Sequence, residues 1–240
     1  MSRPTRNNPR PRSLTATPIK AAVAVALLAV VIAGCATDAS DRLDGDGTDA
    51  ASSASALPPS AFATRVEHFL PGIGAGFGAD KMPSVVLGPP RGGGANAGSL
   101  DVVSLGDGGE IVLAFEEGAL YDGPGADFIV FENPFSTWLE RGEVSVSDDG
   151  VVWTTFACAK DDAAGGFPGC AGVHPVFSHP DNGIAANDPA VAGGDAFDLA
   201  DVGVARARFV RVVDSGGNSY DGTTGGFDLD AIVATHANIP

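Results

Sequence analysis

From about Phe62 onward, the chain consists of short apolar or alternating runs separated by turns rich in glycine, aspartate and proline. No long stretch repeats apolar residues at the helical period of about 3.6 positions. The length and spacing of the runs predict an all-β domain of about 175 residues, arranged as an antiparallel β-sandwich. The runs expected to form strands are Leu100–Leu105, Ile111–Phe115, Phe128–Phe131, Glu143–Ser147, Val152–Cys158, Arg208–Asp214 and Asp230–His236.

Two of these runs show how the strands should face. Glu143–Ser147 alternates, so that Val144 and Val146 point the same way. The apolar run around Arg211 predicts a buried strand in which the guanidinium needs a partner. Long glycine-rich stretches between the runs predict loops, which are either mobile or built for binding. These loops are Gly72–Gly98 and Gly165–Gly194.

The N-terminal segment has the pattern of a bacterial lipoprotein signal. A basic region without acids precedes the apolar run Ala21–Val31, and Ile32-Ala33-Gly34-Cys35 follows it. The apolar run is shorter than the ~20 residues of a membrane-spanning helix. Cys35 is therefore the expected lipidation site, with an ordinary cleaved signal or a retained anchor as the alternatives. The basic residues are Arg3, Arg6, Arg10, Arg12 and Lys20.

These features predict three parts: a signal peptide over residues 1–34, an acylated cysteine and flexible linker over 35–61, and a β-sandwich domain over 62–240. The linker is rich in Ala, Ser, Asp and Gly and has no hydrophobic period. More than one acyl chain gives stable anchoring, since each buried methylene contributes ~0.8 kcal/mol. The expected location is the cell envelope, with the membrane as a partner through the lipid. By resemblance to lipoproteins of two-membrane bacteria, Ala36 favours the outer membrane where the cell has one.

The charge of the expected mature chain excludes one class of partner. Five of the 14 basic residues and none of the 30 acids precede Cys35, which leaves a formal charge of −21. A chain this acidic repels phosphate backbones, so no nucleic acid partner is expected. The acidity is explained either by solubility of an exported protein or by calcium binding, and both can hold together.

The two remaining cysteines form an even pair. Cys158 and Cys170 flank a glycine- and proline-rich loop. In the oxidising compartment that the signal implies, they predict a disulfide that stabilises the domain by ~3 kcal/mol in the chain-entropy model. A metal site is the alternative, but the pair lacks CxxC spacing.

Three motifs in the C-terminal half carry a family resemblance. Ser147-Asp148-Asp149-Gly150-Val151-Val152-Trp153 predicts a tight hairpin turn at Asp-Gly. With Ala207–Val212 and Gly226–Ile232, it resembles the discoidin-like branch of the galactose-binding fold. That resemblance implies a jelly-roll sandwich, often with one structural calcium. The hairpin motif also occurs in β-propellers, which need several copies, and here there is one.

A second resemblance covers two further motifs. Gly123–Asn133 and Gly194–Leu199 are similar to those of a loosely described group of bacterial secreted cell surface proteins. The resemblance implies a fold and an extracellular setting, and it assigns no activity.

Aspartates beside glycines on loops are the candidate ligands of a calcium ion. Calcium takes about six to eight oxygens, including the backbone carbonyls that glycine-rich turns present. Alternation places Asp228 and Asp230 on one face, opposite Leu229. Such a pair needs a cation, or Arg211 as the rival partner. The alternative for all these acids is turn chemistry, in which the carboxylate accepts nearby backbone N–H groups. The predicted ligands are Asp127, Asp195, Asp198, Asp228 and Asp230.

Aromatic and amide side chains on predicted loops are the candidate ligand-binding residues. Sugar sites combine exposed aromatic faces with carboxylates and amides. The alternative is that Phe135 and Trp138 cap the core. The candidates are Tyr121, Asn133, Phe135 and Trp138.

Signals of catalysis are weak. Paired carboxylates can hydrolyse glycosides at a separation of about 5 to 9 Å, which a sequence cannot supply. His174 and His179 are possible zinc ligands on a proline-bearing loop, and solvated loop residues are their default. The expected function is therefore non-catalytic binding of glycans or other cell-surface components by a surface-anchored, calcium-stabilised lipoprotein. The alternatives are an extracellular polysaccharide hydrolase and a structural envelope protein.

Overall fold

The computed structural model describes residues 57–115, 118–134, 138–216, 222 and 224–236. Within these ranges the helices are short 3₁₀ turns of at most four residues, and none is long and apolar enough to span a bilayer. The turns are Pro59–Ala61, Ala79–Lys81, Ser84–Val86 and Leu199–Val202. The strands are β1 (Arg65–Leu70), β2 (Val103–Ser104), β3 (Glu110–Ala114), β4 (Leu120–Tyr121), β5 (Phe128–Phe131), β6 (Gly142–Ser147), β7 (Thr154–Thr155), β8 (Asp195–Phe197), β9 (Arg206–Ala207), β10 (Phe209–Asp214), β11 (Asp228–Leu229) and β12 (Ala231–Ala234).

All the strand pairings are antiparallel. A five-stranded sheet has the order β1-β3-β10-β6-β7, and a three-stranded sheet has the order β12-β5-β8. Two short ribbons, β2–β11 and β4–β9, complete the strands. This arrangement confirms the predicted all-β class and antiparallel sandwich.

The main core lies between the two large sheets. Leu113 and Val212 from the five-stranded sheet share one buried cluster with Phe128 and Ile232 from the three-stranded sheet. Phe128 stacks on Phe197, with ring centroids 5.2 Å apart. Each side chain is at most 5% exposed, so the inner faces of both sheets are removed from water.

A second apolar cluster covers the outer face of the three-stranded sheet. Ile129 and Phe131 alternate with the inward residues of β5 and pack with Val176 and Ala186. Leu57 and Phe62 pack against the same cluster. Because both faces of β5 are buried, its four residues are all apolar. The packed part of the domain also extends N-terminal to the expected boundary at Phe62.

The two residues directly before β1 form backbone hydrogen bonds with both large sheets. The N–H of Ala63 donates to the carbonyl of Ile232 in β12 at 3.2 Å, and the N–H of Thr64 donates to the carbonyl of Ala114 in β3 at 2.9 Å. The chain therefore enters the fold at the junction of the two sheets.

Each of the seven predicted runs overlaps a strand. In β6, Val144 and Val146, predicted to face the same way, are both buried, and Ser145 and Ser147 are buried as well. That strand lies inside the five-stranded sheet, with both faces covered. Five further strands were not predicted, because they are short or partly exposed and no apolar run of strand length marks them. They are β1, β4, β8, β9 and β11.

The predicted turn joins β6 and β7 as an antiparallel hairpin. Asp149 Oδ1 accepts the N–H groups of Val151 and Val152, each at 2.8 Å. These bonds lower the pKa of Asp149 because they favour its charged form. Gly150 has φ +75°, which a side chain would strain. The carboxylate here serves the turn.

Arg211 finds its partners on the outer face of the five-stranded sheet. Its guanidinium lies 4.8 Å from the ring centroid of Trp153. Its Nη2 donates to Ser145 Oγ at 3.2 Å. The contacts of the Arg211 guanidinium are therefore with Trp153 and Ser145 rather than with Asp228 and Asp230, and its buried Nε has no hydrogen-bond partner among the described residues.

The predicted disulfide is confirmed. Cys158 and Cys170 are bonded, with their Cα atoms 4.5 Å apart. The enclosed loop is also closed by the N–H of Ala159, which donates to the carbonyl of Pro168 at 3.0 Å. The disulfide and this hydrogen bond therefore hold the two ends of the loop after β7 close together.

Candidate functional site

Three carboxylates converge where β5, β6 and β11 meet. Glu132 directly follows β5, Glu140 lies two residues before β6, and Asp228 begins β11. One carboxylate oxygen from each lies within 4.8 Å of the others. We call Glu132, Glu140 and Asp228 the buried acid trio.

The hydrogen bonds of this trio do not reach both oxygens of Glu132. Glu132 is 2% exposed and Glu140 is 6% exposed. The N–H of Asp228 donates to Glu132 Oε1 at 3.3 Å, whereas Glu132 Oε2 is buried with no hydrogen-bond partner among the described residues. Asp228 accepts a bond from Ser104 Oγ and one from the side chain of Asn133. Burying an ionised oxygen without a hydrogen bond costs free energy, so the charged form of Glu132 is destabilised in this place.

Burial dominates the electrostatics of the trio. It raises the pKa of Glu132 well above its ordinary value, with the charges of Asp228 and Glu140 adding to the effect. It also raises the pKa of Asp228 to about 6, against the hydrogen bonds from Ser104 and Asn133. Charge at this point is therefore destabilising unless a cation neutralises it.

A second group of acids has the same number of carboxylates but different partners. Oxygens of Asp122, Asp127 and Asp198 also lie within 4.8 Å of one another. Asp127 accepts the N–H of Gly123 at 2.8 Å and that of Leu199 at 2.7 Å. Burial raises the pKa of Asp127, and these two bonds oppose the rise. We call Asp122, Asp127 and Asp198 the turn acid trio.

The other two members of the turn acid trio are a capping residue and an exposed residue. Asp198 accepts the N–H of Ala200 at 2.9 Å and caps the 3₁₀ turn Leu199–Val202. Asp122 is exposed. His236 Nε2 lies 3.8 Å from Asp127 Oδ1. Backbone amides meet the buried carboxylate of this group, as expected of aspartates that serve turns.

Asp195 and Asp230 each lie in a separate polar environment. Asp195 accepts the N–H of Gly172 at 2.7 Å and that of Val173 at 3.0 Å, and it bonds His174 Nδ1 at 2.7 Å. The bond to Asp195 raises the pKa of His174. Asp195 therefore holds the loop around Gly172.

Asp230 accepts the N–H of Arg91 at 2.8 Å. Burial is the main cause that raises the pKa of Asp230 to about 7. Asp230 sits where the chain leaves β11, which pairs with β2, and enters β12, which pairs with β5. The change of pairing partner separates its surroundings from those of Asp228.

The five predicted metal ligands thus fall into four places. The structure joins Asp127 with Asp198 and leaves Asp195 and Asp230 in environments of their own. Asp228 instead lies close to two glutamates. Glu132 is recognisable in the sequence because it flanks a predicted strand. Glu140 was not identified as a candidate from the sequence. The available signal was that the segment between two buried strands carries a glutamate at each end.

Two predicted ligand-binding residues lie on that same segment. Trp138 is 47% exposed. Asn133 Nδ2 donates to the carbonyl of Ser99 at 3.0 Å, and the N–H of Ser99 donates back to Asn133 Oδ1. A Cβ on Gly98 would lie 2.2 Å from Asn133 Oδ1, so glycine is required there for the amide to keep its place.

The other predicted residues are not joined to this segment. Tyr121 is half-buried in β4, opposite Arg206 of β9. Phe135 and Cys35 lie outside the described residues. The possible zinc ligands have different hydrogen-bond partners: His174 Nδ1 bonds the Asp195 carboxylate at 2.7 Å, and His179 Nδ1 accepts the backbone N–H of Asp181 at 3.1 Å.

An apolar groove of about 860 Å³ lies on another part of the surface. Leu57 and Phe62 line one part of it, and Pro180 and Ile184 line another. Of the described residues, none of the five predicted calcium ligands and none of the predicted ligand-binding residues lines this groove, whereas His179 does.

No protein-family model matches the chain, and no curated protein matches it either. The discoidin-like and secreted-protein resemblances of the motifs therefore stay predictions. What bears on function is the chemistry of the described side chains.

Proposed function

We propose that this chain is a lipid-anchored, calcium-stabilised domain that binds glycans or other cell-surface components without catalysis. The observation that carries the proposal is the half-exposed Trp138, on the segment that also holds Asn133 and both glutamates of the buried acid trio. A sugar has polar edges and apolar faces, and sugar sites combine an exposed indole with amide and carboxylate groups, which this segment carries together.

The disulfide supports the expected location. Cys158–Cys170 is the kind of crosslink that persists in oxidising compartments, as the signal-like N-terminus requires. Lipid at Cys35 would then make the membrane the first partner of the chain. The formal charge of −21 after the signal supports a partner other than nucleic acid.

The alternative of a polysaccharide hydrolase needs an acid of raised pKa that touches substrate. Among the described acids, three of those with raised pKa are almost closed to solvent: Asp127 is 1% exposed, and Glu132 and Asp230 are 2% exposed. Their burial favours structural roles over contact with a polymer. Binding is therefore the function that the geometry supports best.

A glycan array tests this proposal with the full-length chain in a nonionic detergent and calcium. We expect retention of one or more glycans, and Trp138→Ala should weaken it by about tenfold or more, as removal of a central aromatic does. The matched control is Trp153→Phe, because Trp153 stacks on Arg211 on the outer sheet face. It should leave glycan binding unchanged.

Three outcomes would contradict the proposal. Glycan binding that survives Trp138→Ala would move the site elsewhere. Absence of any retained glycan would favour the structural envelope role. Release of new reducing ends from a polysaccharide would establish the hydrolase.

A further inference from the structure

The buried acid trio has a feature that turn chemistry does not explain. Glu132 is almost fully buried, and within the part of the chain that the structure describes its Oε2 has no hydrogen-bond partner, although the same carboxylate lies against Asp228 and Glu140. Asp149, Asp195 and Asp127 each have carboxylates that receive two backbone N–H groups. Glu132 therefore has acceptor capacity that its described surroundings leave unfilled.

We propose that Glu132, Glu140 and Asp228 form a calcium site that fastens the two sheets of the sandwich at one end. The inference rests on the calcium dependence in the proposed function and assigns residues to it. Glu132 extends from β5 of the three-stranded sheet, and Glu140 precedes β6 of the five-stranded sheet. Asp228 adds the β2–β11 ribbon. One ion bound to all three residues joins strands from three separate pairings.

The donor set decides which metal fits. The trio offers carboxylate oxygens, which hard cations prefer, and zinc sites are built from cysteine and histidine. Calcium accepts irregular sets of about six to eight oxygens, whereas magnesium demands near-octahedral geometry and keeps several waters. Three convergent carboxylates from separate strands suit the larger, more tolerant ion. The ion supplies the positive charge that the unpaired oxygen of Glu132 lacks.

Thermal unfolding of the full-length chain in nonionic detergent tests the site, with calcium and with a chelator. Calcium at about 100 times its Kd should raise the Tm by about 5 to 10 °C, because the ion binds the folded state. Glu132→Gln should abolish this rise. In chelator this variant should melt at least as high as the parent chain, because the amide removes a buried charge without changing shape.

The matched control is Asp122→Asn, which makes the same change of charge in the turn acid trio. It should keep the full calcium response. Terbium serves as a direct probe of the same site, since it takes oxygen ligands like calcium and its bound emission reports affinity. Glu132→Gln should weaken terbium binding by about tenfold or more, because ligand charge sets affinity. Asp122→Asn should leave terbium affinity unchanged.

Two results would overturn the site. One is a parent chain whose Tm does not change when calcium is added and which shows no emission from bound terbium. The other is a calcium response that Asp122→Asn removes and Glu132→Gln keeps, which would place the ion in the turn acid trio. Neither readout requires a glycan. Failure of the calcium site is therefore distinct from failure of the binding function, which the Trp138→Ala array measures.

Discussion

The two acid trios contain the same number of carboxylates, each with its oxygens within 4.8 Å of one another, and they differ in the backbone hydrogen bonds that they receive. In the turn acid trio, amides of Gly123 and Leu199 point at Asp127, and the amide of Ala200 points at Asp198. In the buried acid trio, Glu132 receives one backbone N–H at 3.3 Å, and its second oxygen receives none. A carboxylate cluster by itself therefore says little about metal.

Side-chain length explains part of the difference. An aspartate is short enough to bond the amides two or three positions along its own turn, as Asp149 and Asp198 do. Asp127 instead receives one of its amides from Leu199, 72 positions away. A glutamate is one methylene longer and loses that local geometry. Glutamates at strand ends are therefore less readily explained by turn chemistry than aspartates beside glycines.

Asp127→Ala should produce the largest effect and separate the two trios most clearly. The change leaves the amides of Gly123 and Leu199 without their acceptor, and each unsatisfied buried N–H costs about 1–3 kcal/mol. We expect the free energy of unfolding to fall by about 2–4 kcal/mol, measured by urea titration. The loss should be the same in calcium and in chelator.

Asp127→Asn is the matched control for that substitution. Its amide keeps one acceptor oxygen, so it should retain about half of the lost stability. A loss that appears in calcium but vanishes in chelator would contradict the comparison and make Asp127 a metal ligand.

Asp198→Ala tests the capping role at smaller scale. Asp198 caps a turn of four residues through one bond to Ala200. Removal of such a cap costs about 1 kcal/mol. We expect that loss in equilibrium unfolding and an unchanged calcium affinity. Weakened calcium binding in this variant would assign the ion to the turn acid trio.

The smallest predicted effect depends on pH and concerns Asp195, which also serves backbone amides. Its bond to His174 raises the histidine pKa above 6.5 in the folded chain, so protonation of His174 stabilises the fold. This contribution is complete below the unfolded pKa and is lost as pH rises through the folded pKa. His174 is 69% exposed at its side chain, so solvent limits the contribution to a few tenths of 1 kcal/mol.

His174→Gln is the comparison for that pH dependence. In chelator, the parent chain should lose slightly more stability than this variant between about pH 6 and pH 8. Identical pH profiles for the two proteins would show that the bond between His174 and Asp195 adds nothing to stability.

The sandwich was largely predictable because its central strands are apolar runs of strand length. Phe128–Phe131 is the clearest case, since burial on both faces leaves four consecutive apolar residues. The short ribbons were not predictable. A strand of two residues such as Leu120–Tyr121 is defined by its partner, Arg206–Ala207, more than 80 positions away in sequence. Long-range pairing of this kind leaves no local pattern.

The site was predictable only in part. Asp228 was expected as a ligand from its place beside an apolar strand, and its neighbours Glu132 and Glu140 come from a connection about 90 residues earlier. The alternation that should pair Asp228 with Asp230 fails because the strand changes partners between them. Periodicity describes one regular strand, and it cannot describe a junction between two sheets.

The N-terminal attachment of the domain has a mechanical consequence. A pull on the chain ahead of Leu57 meets the bond from Ala63 to β12 and the bond from Thr64 to β3 before it reaches β1. The force is therefore shared by hydrogen bonds to both sheets. The hydrogen bonds of edge strand β1 are loaded only after these two bonds. Force applied at the N-terminal side of the domain therefore acts first on the junction of the two sheets.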